Sequence, residues 1–238
     1  MTEDELRFRT VALKNGLAIT DIQLRGLGHY AALLKEWNQR INLISRRDEE
    51  NIWPYHLFHS AALLFTLDLR DGMKILDLGT GGGLPGIPLA ILQPGSTFVL
   101  LDSIRKKVGA VNEMIGELAL PNAMAVCSRA EDIAGSPSFK ASFDAVIARG
   151  VAQLDILVGW SAPFLRKGGS TAAPSPRSEK KVSLTNPALV AMKGGETQGE
   201  VAKAQRRYPK ARIRTVEMVF EGGESLRNGG KQLVIVEF

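Results

Sequence analysis

Between Lys74 and Leu92 a short apolar run, Lys-Ile-Leu-Asp-Leu, gives way to Gly79-Thr-Gly81-Gly-Gly83-Leu84-Pro85-Gly86 and then to Ile-Pro-Leu-Ala-Ile-Leu. Such a stretch reads as a buried strand, a tight turn and a helix. Glycine reaches positive φ cheaply and lets a ligand approach the backbone closely, so the turn is a candidate binding loop. The next apolar run ends at Asp102, 23 residues beyond Gly79. An acid at the end of the second strand can accept both hydroxyls of an adenosine ribose. The combination points to a nucleoside-type cofactor in a Rossmann-like α/β domain.

The rest of the chain agrees with that architecture. Short apolar runs alternate with helix-length segments: FVLLD, a helix from about Ile104 to Leu118, AMAVC, FDAVIA, and a helix from about Leu154 to Leu165. This is the rhythm of βαβ units on a parallel sheet. Three further strands are expected in ALVAMKG, RIRTVEMVF and QLVIVEF. The last two follow one another with no helix between, which predicts an antiparallel hairpin at the sheet edge. The first ~70 residues read as helical. Leu24, Leu27, Tyr30, Ala31, Leu34 and Trp37 recur at helical spacing, and Thr20 with Gln23 forms a capping-box pattern. An amphipathic stretch is expected from about Asp48 to Leu67. The expected organisation is thus a helical segment over 1–70 and a Rossmann-like domain, mostly parallel with an antiparallel edge, over 71–238. The run from Gly168 to Pro187 is rich in Pro, Ser and charge and is expected to be a loop at the carboxyl edge of the sheet.

Composition narrows the setting. Hydrophobic residues make up 45% of 238, enough for a globular core, and no apolar run approaches a membrane span. The N-terminus lacks the apolar core of a signal peptide, so a cytoplasmic location and no membrane partner are expected. The single cysteine, Cys127, cannot form an internal disulfide and its apolar neighbours suggest a buried strand position. A net charge of +5 permits a nucleic-acid partner without requiring one. His56 and His59 lie three apart, but no cysteine or acid cluster completes a metal site, so no metal is expected.

Gly81, Gly83 and Gly86 also match the dinucleotide fingerprint, so a nicotinamide-dependent oxidoreductase competes with a methyltransferase. Two residues oppose the dinucleotide. Pro85 removes an amide that a pyrophosphate would use at the helix N-terminus. Asp77 places a carboxylate beside the turn, where it repels phosphate and complements the sulfonium and ammonium of S-adenosylmethionine. The residues therefore favour S-adenosylmethionine as cofactor, with Asp77, Gly79, Gly81, Gly83 and Asp102 around it. A methyltransferase acting on a small molecule or a protein stays open at this point.

DLGTGGGLPGIPLA, together with VLLDS, CSRAED and FDAVIARG, resembles the bacterial small-subunit (16S) ribosomal RNA guanine N7 methyltransferases, the glucose-inhibited division protein B family. WNQRINLISRRD resembles that family's helical segment. The resemblance implies cofactor contacts at Gly79, Leu84, Asp102 and Ser103, with Ala130 and Glu131 flanking the adenine. It implies that Arg149 faces cofactor and target, and that Arg129 and Lys193 meet RNA. It also implies 16S ribosomal RNA or the small ribosomal subunit as partner. Further RNA contacts are expected from Arg46 and Arg47, from Arg105, Lys106 and Lys107, and from Arg206 and Arg207 in the basic run Lys203–Arg214. Guanine N7 carries a lone pair and no proton, so its methylation needs no general base; Arg149 is expected to position guanine or cofactor. The sequence departs from the family at His59, where an acid is usual, and in the run from Gly168 to Pro187, which is expected to touch RNA or cover the target base.

Overall fold

The computed structural model describes residues 1–168, 181–184, 187–222 and 230–238. Helices α1 (Glu3–Lys14) and α2 (Asp21–Arg40) open the chain, each behind a capping box, Thr2 with Glu5 and Thr20 with Gln23. A 3₁₀ turn over Arg46–Asn51 and a wide π-type turn over Trp53–Leu57 lead into α3 (Phe58–Thr66). Every residue of α3 is buried, so the amphipathic stretch expected from Asp48 to Leu67 is not one continuous surface helix. Its first part is broken turns, and its last part packs on all sides, including against α1 and α4. A helix apolar all round belongs in a core.

The α/β part follows as β1 (Leu67–Asp68), β2 (Lys74–Leu78), α4 (Gly86–Leu92), β3 (Thr97–Asp102), α5 (Arg105–Glu117), β4 (Ala123–Cys127), α6 (Ala130–Ile133), β5 (Ala145–Arg149), α7 (Leu154–Ser161), β6 (Val182–Ser183), β7 (Ala188–Lys193), α8 (Gln198–Arg207), β8 (Arg212–Glu217) and β9 (Gln232–Glu237). Seven strands form one sheet in the order β4-β3-β2-β5-β7-β9-β8. All neighbouring pairs are parallel except those of β9, which is antiparallel to both β7 and β8. The expected antiparallel hairpin stands at the sheet edge, with β8 outermost and β9 next to it. The near-continuous apolar run of β9 suits a strand covered on both faces, whereas β8 alternates and carries the exposed Arg212 at the rim.

Strand alternation divides the interior in two. Ile75, Phe98, Leu100, Ala145 and Ile147 face a core shared with α1–α5, while Leu76, Val99, Leu101, Val146 and Ala148 face one shared with α6–α8. The N-terminal helices and one face of the sheet thus bury their apolar residues against each other.

Two expectations are corrected here. Cys127 is exposed, because β4 is the edge strand and its outer side has no neighbour. The described ends of the run from Gly168 to Pro187 lie at the amino edge of the sheet, not the carboxyl edge. Helix α7 carries the chain back, Arg166 N donates to Phe143 O (3.0 Å) before β5, and Ala188 pairs with Ala145 at the start of that strand. The expectation that this run touches RNA or covers a base falls on residues 169–180 and 185–186, outside those described. Among the described residues no helix is long and apolar enough to cross a membrane.

Candidate functional site

Strand β2 is the point where the strand order reverses: β3 and β4 lie to one side, β5 and β7 to the other. Ligands of open α/β sheets bind in the crevice outside the carboxyl ends at such a point. A cavity of about 380 Å³ opens there. The structure brings together Gly79, Gly81 and Leu84 from the turn, Asp102 and Ser103 from the end of β3, Ala130 and Glu131 from α6, and Arg149 from the end of β5. Lys107 and Arg129 also line it. Asp77 and Gly83 do not.

The glycine turn is fastened on three sides. Gly79 N and Thr80 N donate to Leu101 O at 2.8 and 3.0 Å, binding the turn to the end of β3. Gly81 N donates to Asp102 Oδ2 at 3.0 Å. Tyr30, wholly buried on α2, donates its hydroxyl to Gly82 O at 2.9 Å. Gly79 has φ +74° and lies so close to Val151 that a Cβ would stand 2.6 Å from its Cγ2. Only glycine satisfies both conditions.

Asp77 serves the turn from beneath. Its Oδ2 accepts from Thr80 Oγ1 (2.6 Å) and from Gly86 N (2.9 Å), the first residue of α4. A carboxylate there meets an unpaired helical amide and the positive end of the helix dipole. Burial nevertheless pushes its pKa up to about 6, against the hydrogen bonds that lower it. Asp77 therefore holds the loop instead of facing the cavity. Asp102 does face it. Its Oδ1 accepts from Ile104 N at 2.9 Å and its Oδ2 from Gly81 N, and a carboxylate offers about four lone-pair sites, so acceptor capacity remains.

Arg149 is the cation of the cavity floor. Burial lowers its pKa, while Tyr30, Asp77 and Asp48 act in the opposite sense. Its Nη2 donates to His56 Nδ1 at 3.2 Å. His59, where the family usually has an acid, is buried with no hydrogen-bond partner on Nε2. Among the described residues no group of three His, Cys, Asp or Glu side chains could hold a metal ion.

The basic residues divide into two groups. Arg46, Arg47, Arg105, Lys106 and Arg129 are exposed, and Lys107 is half-buried at the cavity wall. Lys193 is not free: its Nζ donates to Ala152 O (2.8 Å) and pairs with Glu200 Oε2 (2.7 Å), tying the end of β7 to α8. Lys193, expected to meet RNA, makes these contacts within the fold. Arg206 and Arg207 stand on the last turn of α8 and line no part of the cavity, and Arg207 pairs with Asp155 at 3.3 Å. Sequence reasoning missed participants that lie far from the glycine turn in the chain. Leu43 and Trp160 line the cavity, and Tyr30 holds the turn. Each comes from a helix or loop remote in sequence; Tyr30 read only as one member of an apolar stripe.

Among solved structures, a SAM-dependent methyltransferase from Aquifex aeolicus matches with a TM-score of 0.54 at 14% identity, covering 81% of this chain and 96% of that one. Aeropyrum pernix fibrillarin, solved with natively bound S-adenosyl-L-methionine, matches with a TM-score of 0.53 at 12% identity, covering 77% and 75%. The sheet order, the reversed β9 and a glycine turn beside a strand-end acid define the class I methyltransferase fold. Sequence comparison goes further. The family model described as GidB, rRNA small subunit methyltransferase G, matches residues 23–207. A ribosomal RNA small subunit methyltransferase G of Pelodictyon phaeoclathratiforme is 37% identical over 87% of this chain and 80% of its own length. One of Chlorobium phaeobacteroides is 39% identical over 82% and 78%. The chain belongs to the GidB family of rRNA small subunit methyltransferases.

Proposed function

We propose that the chain transfers the methyl group of S-adenosylmethionine to N7 of a guanine in 16S ribosomal RNA, in the cytoplasm, with no metal. The observation that carries this reading is the cavity at the strand-order reversal, bounded by the glycine turn and Asp102, in a chain of this family. The cavity's donor set fits such a cofactor. Asp102 keeps free lone pairs suited to ribose hydroxyls, and the backbone at Gly79, Gly81 and Leu84 can be approached closely. Ser103, Ala130 and Glu131 would hold the adenosine end. Pro85 at the N-cap of α4 and buried Asp77 beneath the turn disfavour a pyrophosphate.

When bound, S-adenosylmethionine supplies a methyl carbon on a sulfonium, already activated for attack. The protein's own work is orientation, which can lower a barrier by roughly 7–11 kcal/mol at best. Arg149 offers a planar fork of donors suited to guanine O6. A base is not needed at N7, and among the described residues none that lines the cavity is a histidine. Arg46, Arg47, Arg105, Lys106, Lys107 and Arg129 would take the RNA backbone, with the division near residue 70 separating a helical segment from the methyltransferase domain. Mapping N7-methylguanosine in ribosomal RNA from cells with and without the protein tests the reading; an unchanged map overturns it. A thermal shift with S-adenosylhomocysteine against NAD tests the cofactor. A ligand at 100 times its Kd stabilises by about 2.7 kcal/mol, so a shift with NAD alone would refute the assignment.

A further inference from the structure

Arg149 is a half-buried guanidinium with little to hold it. Among the described residues, the one acceptor within hydrogen-bond distance of it is His56 Nδ1, at 3.2 Å from Nη2. The carboxylates that act on it, Asp77 and Asp48, do so through space. A guanidinium can only donate. The contact therefore requires an unprotonated Nδ1 and places the imidazole proton on Nε2. That Nε2 has no hydrogen-bond partner, but it faces Asp48 Oδ2 at 3.7 Å, on the turn that follows α2. His56 itself is 8% exposed, and its carbonyl accepts from Ser60 Oγ at 2.7 Å. An acid, an imidazole and a guanidinium thus run in line from the N-terminal segment to the end of β5 and into the cavity.

We infer that His56 is the positioning residue for Arg149. The imidazole touches nothing that reacts. It fixes the direction of the guanidinium, and that contact sets the imidazole's tautomer, with the Asp48 carboxylate 3.7 Å from the protonated Nε2. Arg149 has several rotatable bonds and no carboxylate on its fork, so without the Nδ1 acceptor the head has no defined direction. The neighbouring cations cannot replace His56: Lys231 acts on nearby His59, and both it and Arg149 disfavour a protonated His59.

This inference rests on the reading of Arg149 as a site residue, and the experiment separates the two. His56→Leu keeps bulk without an acceptor, and His56→Asn puts an amide oxygen near the position of Nδ1. Both, with Arg149→Met and the His56→Leu/Arg149→Met double variant, are assayed for kcat and KM on small-subunit RNA and for Tm. A misdirected group of this kind lowers turnover by about 100-fold. The expected result is such a loss of kcat for His56→Leu, most of it recovered by His56→Asn, and no further loss from His56→Leu when Arg149 is already methionine. Independently of activity, the ¹⁵N resonance of His56 Nδ1 in the wild type should report an unprotonated, hydrogen-bonded nitrogen and move toward the free lone-pair value in Arg149→Met. Equal losses from His56→Leu in both backgrounds, or an unmoved resonance, would overturn the inference alone. Wild-type kinetics for Arg149→Met would overturn the role of Arg149 and the inference with it.

Discussion

Acidification from about pH 7 to about pH 5 should destabilise this protein by about 2–3 kcal/mol, and two buried histidines are the reason. Burial lowers the pKa of His56 to about 4, with Arg149 adding to the effect. Burial lowers that of His59 to about 3, helped by Arg149, Lys231 and His56. Both are neutral in the folded chain and protonate near the ordinary value of about 6.5 once unfolded. Between those limits the unfolded state binds more protons, so stability decreases as pH is lowered, at about 1.4 kcal/mol per unit for each histidine. The loss starts as pH drops through about 6.5 and ends near the folded pKa values. Between pH 7 and pH 5 each contributes a loss of about 2 kcal/mol. Asp77 has the opposite sign. Its folded pKa is raised to about 6, so the native state takes up a proton before the unfolded state does. That returns about 1 kcal/mol as pH falls through 6. For a chain of this size, each kcal/mol corresponds to about 2–4 °C, so Tm should drop by roughly 5–10 °C. His59→Met keeps apolar bulk and removes one titration, and its pH dependence should lie within about 1 kcal/mol of flat over the same range. Calorimetric or denaturant-derived stabilities of both proteins settle it. A wild-type profile that is level or rises toward pH 5, or a His59→Met profile as steep as wild type, would refute the reasoning.

Gly79→Ala forces a side chain into positive φ and against Val151, and should lower stability by about 1–3 kcal/mol and weaken S-adenosylhomocysteine binding in calorimetry. Tyr30→Phe removes the buried bond to Gly82 O and leaves that carbonyl unpaired; the expected loss is about 1–3 kcal/mol in denaturant titrations, with looser cofactor binding. Lys193→Met should lower Tm but leave the salt dependence of RNA binding unchanged, since its ammonium is held by Glu200 and Ala152. Arg129→Met should instead reduce the slope of log K against log salt by about 1, with little change in Tm.

The chain's local chemistry announced a good deal. The capping box at Thr20, the alternation of βαβ units, the glycine turn and the acid at Asp102 are all short-range patterns. Their geometry follows from φ preferences and spacing, so they could be read before any partner was known. The residues lining the cavity from the turn, β3, α6 and β5 were legible for the same reason: they lie at the carboxyl ends of strands, where the topology collects them. Long-range partners decided the rest. Nothing near Cys127 says that its strand lies at the edge, and nothing near Gln232 says that β9 inserts between β7 and β8. Nothing near Lys193 announced its pairing with Glu200 at 2.7 Å, and His56 was half of an idle pair until β5 brought Arg149 against it. A charge or a hydrogen-bonding atom has no fixed role in a sequence. Its role is set by whichever opposite group the packed fold places within about 3 Å, in surroundings dry enough for the contact to count.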